Sequence, residues 1–133
     1  MKRIEVAAAV IIEDRRVFAA QRGPEGPLGN KWEFPGGKLE TGESAERAVV
    51  RELNEELQTH VRVVRPLMVV QHQYPTFFIT LHALLCEREE GTLILGEHQQ
   101  SRWLNQDQLE SMDWAAADLP IVDLVRELLD ERP

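Results

Sequence analysis

Apolar positions along this chain follow two periods, and the change from one to the other marks its elements. Residues 3 to 12, RIEVAAAVII, form a largely apolar run of the kind a strand buried on both faces shows, with helix left open by the alanines. Glu13-Asp14-Arg15-Arg16 then predicts a turn, and Val17 to Gln21 returns as a second strand, giving a hairpin. The next segment, GPEGPLGNKWEFPGG, contains three of the seven prolines and five of the eight glycines. It predicts a long ordered loop in which Trp32 and Phe34 fall on one side of an extended stretch.

A helical period takes over at Ala45, Val49, Leu53 and Leu57, in a helix opened around Thr41 to Glu43 with Ser44 or Thr41 as N-cap. Val61 to Gln73 is a β-branched run in which Pro66 predicts a bulge or an edge position. A turn at Tyr74-Pro75-Thr76 leads to a strand over Phe77 to Cys86, and short strands follow at Thr92 to Leu95 and Ser101 to Leu104. A brief helix over Asn105 to Met112, capped by Asn105, precedes a closing helix over Pro120 to Leu129 with Ile121, Leu124, Val125, Leu128 and Leu129 at helical spacing. This order implies an α/β protein, a mixed sheet with helices on both faces.

The first helix carries an unusual polar face. At about 100° per residue, Glu55 lies about 60° to one side of Glu52 and Glu56 about 40° to the other. Glu56 also falls between Ala45 and Val49, at the edge of the apolar stripe. Like charges at these spacings disfavour a helix by a few tenths of a kcal/mol per pair, and partial burial adds desolvation. A solvated acidic surface is the bland reading. A divalent cation with oxygen ligands, Mg²⁺ or Mn²⁺, compensates both penalties and is the better one.

The stretch that carries this helix resembles the Nudix box, in which Gly37, Glu43, Arg51, Glu52, Leu53, Glu55 and Glu56 stand in the family's register. The box ends differently, with Gln58 where the family has glycine and Thr59 where it has an apolar residue. A glutamine in a left-handed helix-ending position costs on the order of 1 kcal/mol. The resemblance implies the Nudix α/β/α sandwich with a mixed central β-sheet and a loop-helix-loop, and hydrolysis of a nucleoside triphosphate to a monophosphate and pyrophosphate. It implies metal ligation by Glu52, Glu55 and Glu56, by the carbonyl of Gly36, and by Glu97, six residues before Trp103 as in the MutT-like branch. Glu52 is then the first choice for general base and Glu97 the second. Arg51 pairs with Glu43 and, with Gly37, supports the box.

The same resemblance places Arg22 on the substrate phosphates with Lys38 assisting. It makes Asp118 a reader of the base, against its bland role as N-cap of the last helix ahead of Pro120. Phe77 stands where MutT-like enzymes have an arginine that contacts oxidised guanine, which weighs against strict preference for 8-oxo-dGTP. Trp32 and Phe34 either stack on the base or pack the core. The CTP pyrophosphohydrolases are the nearest pattern, so pyrimidine or modified nucleotides are the expected substrates. ADP-ribose or dinucleotide polyphosphate hydrolysis, or a non-catalytic nucleotide-binding module, are the alternatives.

Composition narrows this further. A chain of 133 residues with 43% hydrophobic content suits one domain spanning its length. A net charge of −8 argues against a nucleic-acid polymer as partner. The single cysteine, Cys86, lies in an apolar run and reads as a core thiol in a reducing cytoplasm. No apolar stretch approaches the roughly 20 residues of a membrane span. The basic, apolar N-terminus is broken by Glu5 and reads as a strand, not a signal peptide. His60, His72, His82 and His98 lack metal-ligand spacing. A monomer or a homodimer is compatible with all of this.

Overall fold

The computed structural model describes residues 1–93 and 100–131. Its centre is β1 (Lys2–Glu13), a strand and not a helix, because a polypeptide hydrogen-bonded on both sides can bury alternate residues on opposite faces. Ala7, Ala9 and Ile11 enter one core, Ala8 and Val10 the other. Asp14 and Arg15 turn the chain in left-handed conformations, φ 50° and 62°, and β2 (Arg16–Gln21) returns antiparallel.

Two short strands lie within the Gly- and Pro-rich segment, β3 (Trp32–Glu33) beside β2 and β4 (Gly36–Lys38) beside β1. The long hairpin of β5 (His60–Gln73) and β6 (Phe77–Glu90) docks through β6, which runs parallel to β1 from Lys2↔Phe77 to Ile11↔Cys86. Its other strand, β5, is the edge, so Pro66 withholds no ladder hydrogen bond from a central position. Register shifts flank it, between Val63 and Arg65 and between Pro66 and Met68. β7 (Gln100–Leu104) pairs with β2. Thr92 and Leu93 are not in a strand, and the rest of the strand expected there lies outside the described residues.

Helix α1 (Ala45–Leu57) covers one face of the mixed sheet, burying Ala48, Val49, Leu53 and Leu57 against Ala7, Ala9, Ile11, Phe18 and Leu84. Helix α2 (Leu119–Glu131) covers the other with Ile121, Val122, Val125 and Leu129. Between β7 and α2 the brief helix expected over Asn105 to Met112 is a 3₁₀ helix, Gln106–Ser111, held by a reciprocal capping box of Asn105 and Gln108. Cys86 is buried among the α1-side residues, and burial pushes its thiol up to about 12, as befits an inert core group.

Candidate active site

Helix α1 starts where the Ser44 hydroxyl accepts from the Arg47 N–H, 3.2 Å. It ends where Gln58 adopts φ 49°, ψ 39° and returns its N–H to the Leu53 carbonyl. Thr59 is fully buried at a position where the family pattern has an apolar residue, and its hydroxyl is satisfied twice. It donates to the Leu57 carbonyl and accepts from the Leu93 N–H, each at 2.9 Å. The departure from the usual box ending therefore leaves the buried Thr59 hydroxyl fully paired.

Arg51 braces the helix to the loop before it. Its Nε and Nη2 grip the two oxygens of Glu43 at 2.8 Å, and Nη2 also donates to the Lys38 carbonyl at 3.0 Å. Its Nη1 reaches Glu52 at 2.9 Å and Glu55 at 3.3 Å. The guanidinium, aided by the Glu40 N–H, holds the Glu43 carboxyl down at about 2, and Glu43 in turn raises Arg51 further above its ordinary value.

Of Glu52, Glu55 and Glu56 on α1, the first and the last line an open cleft of about 510 Å³ with Arg22, Glu33, Gly36, Gly37 and Lys38. Glu55, 57% exposed, does not line it and leans on Arg51 instead. The Glu52 side chain is only 12% exposed, and its carboxyl carbon lies 2.3 Å from where a Cβ on Gly37 would stand. Gly37 is thus the floor under Glu52. Gly36 is needed for a different reason than an open approach to its carbonyl, since a Cβ there would meet the Ala7 carbonyl oxygen at 1.9 Å. Its bareness lets β4 press against β1.

Among the described residues, no three acidic, histidine or cysteine side chains converge into a preformed metal cage. Arg51 supplies the positive charge that Glu52 and Glu55 need, and Glu97 lies outside the described residues, as does His98. The donor set around the cleft is nonetheless all hard oxygen, two carboxylates on one helix face above a glycine floor, which suits Mg²⁺ or Mn²⁺.

A second, smaller pocket of about 140 Å³ opens off the cleft and shares Arg22, Glu33, Gly36, Gly37 and Lys38 with it. Val6, Ala8, Leu28, Ile79 and Leu81 make it apolar, and Phe34, Tyr74 and Asp118 complete it. Asp118 does not cap α2. Its Oδ2 accepts from the Phe34 N–H at 3.1 Å across 84 positions of sequence, and at 5% exposure burial, reinforced by the Glu33 charge, pushes its carboxyl up to about 8.

Arg22 reaches Glu33 at 3.3 Å at the junction of the two spaces. Phe34 lines the pocket but is stacked on Trp114 at 5.0 Å, and Trp32 is core. Phe77 lines neither space and packs against Tyr74 at 4.9 Å. Glu33 and Tyr74 also line the site, with no motif in the sequence to mark them. Glu33 alternates with Trp32 and Phe34 and so points away from their core side. Tyr74 was legible only as part of a turn.

This acidic helix over a glycine turn, on a mixed sheet between two helices, defines a Nudix hydrolase: a NUDIX domain model matches residues 7–124, and the chain belongs to that family. It is 37% identical to the CTP pyrophosphohydrolase of Escherichia coli K12 over 133 residues, 100% of this chain and 98% of the relative. It is 34% identical to the 8-oxo-dGTP diphosphatase of the same organism over 129 residues, 96% and 100% of the two chains. Among solved structures, that of the E. coli ORF135 protein aligns with a TM-score of 0.82 at 36% identity, covering 100% of this chain and 95% of that one. The MutT structure from methicillin-resistant Staphylococcus aureus aligns at 0.79 and 32% identity, covering 96% and 99%. Nudix hydrolases use a divalent metal. No described helix is long and apolar enough to cross a membrane.

Proposed function

We propose that the protein hydrolyses nucleoside triphosphates, ribo or deoxy, to the monophosphate and pyrophosphate with Mg²⁺, acting on pyrimidine or modified nucleotides and so clearing the cytoplasmic pool. One observation carries this reading. A charged cleft under α1 is continuous with a small apolar pocket closed by a polar residue, so one molecule with a flat base and a chain of phosphates fills both. The relatives named for CTP and for 8-oxo-dGTP support the same class.

Arg22 and Lys38, lining both spaces, draw the phosphates along the cleft towards Glu52 and Glu56. A divalent cation bound among Glu52, Glu56, the Gly36 carbonyl, Glu55 and Glu97 would screen the phosphates and acidify a water. Glu52, positioned by the hydrogen bond from Arg51 Nη1, takes the proton of the attacking water as the water oxygen attacks phosphorus and the bridging P–O bond breaks. In the small pocket Asp118, neutral at pH 7, offers an O–H as well as a carbonyl to the base.

A panel of canonical, methylated and oxidised nucleotides with ADP-ribose and dinucleotide polyphosphates, assayed with Mg²⁺ and an added pyrophosphatase, tests the reading. Phosphate release is expected from triphosphates, with a pyrimidine or a modified base fastest. Turnover confined to ADP-ribose or dinucleotides overturns the substrate class, and binding without any turnover points to a non-catalytic module.

Asp118 also predicts a pH dependence. Its native carboxyl, at about 8, binds a proton that the unfolded chain, near its ordinary value of 3.8, releases. This contribution to stability is therefore fully present below about pH 4 and is lost as pH rises through 8, at up to about 1.4 kcal/mol per pH unit. Asp118→Asn removes the titration, so its urea midpoint relative to wild type should rise steadily between pH 4 and 8. Parallel profiles for the two proteins would show that Asp118 is ionised in the native state.

A further inference from the structure

The small pocket contains two deeply buried polar groups that are each only half satisfied. Tyr74 is 8% exposed, and its hydroxyl accepts from the Ala117 N–H at 2.9 Å; among the described residues no acceptor receives its proton. Asp118 is the other: Oδ2 takes the Phe34 N–H, while Oδ1 has no partner among the described residues. The two side chains do not hydrogen-bond each other, though both line the same 140 Å³. A buried donor left without an acceptor is expensive, which marks this one as a group whose partner arrives with the ligand.

The phenol is also held still. The Tyr74 N–H donates to the Phe77 carbonyl at 2.8 Å, closing the β5–β6 turn. Its ring is wedged between His72, edge-on at 4.5 Å, and Phe77 at 4.9 Å. With one lone pair committed to Ala117, rotation of the O–H is restricted to the remaining directions. The walls, Val6, Ala8, Ile79 and Leu81, suit the face of a base and not a phosphate, which would lose its hydration against them.

We propose that Tyr74 is a specificity-determining residue whose O–H donates to an acceptor atom, a carbonyl oxygen or ring nitrogen, on the edge of the nucleotide base, beside the contact made by Asp118. This rests on the nucleotide reading of the site. It adds a hydroxyl from the β5–β6 turn to the ionisable side chains that the loop before α1 and the segment before α2 bring to the pocket. A site built around a hydrogen-bond donor rejects ligands that leave that donor unpaired more strongly than it rejects a mere change of size.

A cycle of one substitution and one set of analogues tests it. Wild type and Tyr74→Phe are assayed for kcat/KM on the best triphosphate of the panel and on versions in which each acceptor of the base is replaced in turn by C–H. Wild type should lose about tenfold or more on one analogue, and Tyr74→Phe should treat that analogue and the parent alike. A merely structural role would lower every substrate by the same factor and preserve the wild-type ratio, which overturns the proposal. So does a wild type indifferent to every acceptor, a result that needs no variant and decides the matter even where Tyr74→Phe folds poorly. If wild type turns over no nucleotide, the hydrolase reading fails and the proposal with it. Wild-type turnover with an unaltered Tyr74→Phe ratio sinks the proposal alone.

Discussion

Glu52→Gln is expected to lower kcat by about three powers of ten, the contribution a positioned general base would make in the proposed reaction, and to leave the melting temperature within a few degrees of wild type. The physical case is that glutamine preserves nearly everything about Glu52 except its basicity. It has the same length, fits over Gly37 in the same space, and keeps an oxygen to accept from Arg51 Nη1. Arg51 retains both bonds to Glu43 and its bond to the Lys38 carbonyl, so the loop-helix junction stays braced. Steady-state turnover at saturating Mg²⁺, set beside a thermal melt, reads both quantities. Near-normal kcat would remove Glu52 as the base and leave Glu97 as the next residue to test. Glu55→Gln should lower activity less, because its exposed carboxylate lies outside the cleft lining and would reach a cation only by leaving Arg51.

The two adjacent glycines are expected to fail in opposite ways. A methyl on Gly36 would stand 1.9 Å from the Ala7 carbonyl oxygen and 2.8 Å from the Ala8 Cα, both backbone atoms of the central strand. Neither can yield without opening the β1–β4 register, Ala7↔Gly37 and Ala8↔Gly36. Gly36→Ala should therefore lose roughly 3 kcal/mol or more of stability. The nearest atoms to a methyl on Gly37 are those of the Glu52 carboxylate, at 2.3 to 2.7 Å, and the end of a side chain can swing aside. Gly37→Ala should fold to within about 1 kcal/mol of wild type, the range of an accommodated small-to-large change. It should need much more Mg²⁺ for half-maximal activity, because Glu52 is displaced. Urea midpoints and Mg²⁺ titrations of the two variants separate the cases. A stable Gly36→Ala, or a Gly37→Ala with wild-type metal dependence, would mean that β4 adjusts more freely than its contacts suggest.

Much of this fold is written in local patterns. The apolar run of β1, the polar turn at Asp14-Arg15, the Ser44 cap and the Ala48, Val49, Leu53, Leu57 stripe follow from period and capping chemistry that act within a few residues. Pro66 announced an edge strand for the same reason, since a missing N–H is tolerable only where nothing is waiting for it. Even the box ending was legible as far as backbone goes: Gln58 takes the left-handed conformation that its position called for. The register of the seven box positions carried the family as well.

Long-range packing settled the remainder. Residues 106 to 111 wind as 3₁₀ because a capping box and the buried Leu109 set their geometry, which apolar spacing does not distinguish from an α-helix. Asp118 looks like a cap in sequence, yet it spends its carboxylate on the N–H of Phe34, a partner 84 residues away. Glu52, Glu55 and Glu56 share one face of α1, but Glu55 pairs with Arg51 and stays out of the cleft that Glu52 and Glu56 line. Tyr74 and Glu33 enter the site only because β5 and β3 end beside the same pocket. Local propensity is decided by neighbours in sequence, whereas burial, and with it the raised Asp118 carboxyl and the enclosed Tyr74 hydroxyl, is decided by which distant segments close over a group and keep water from it.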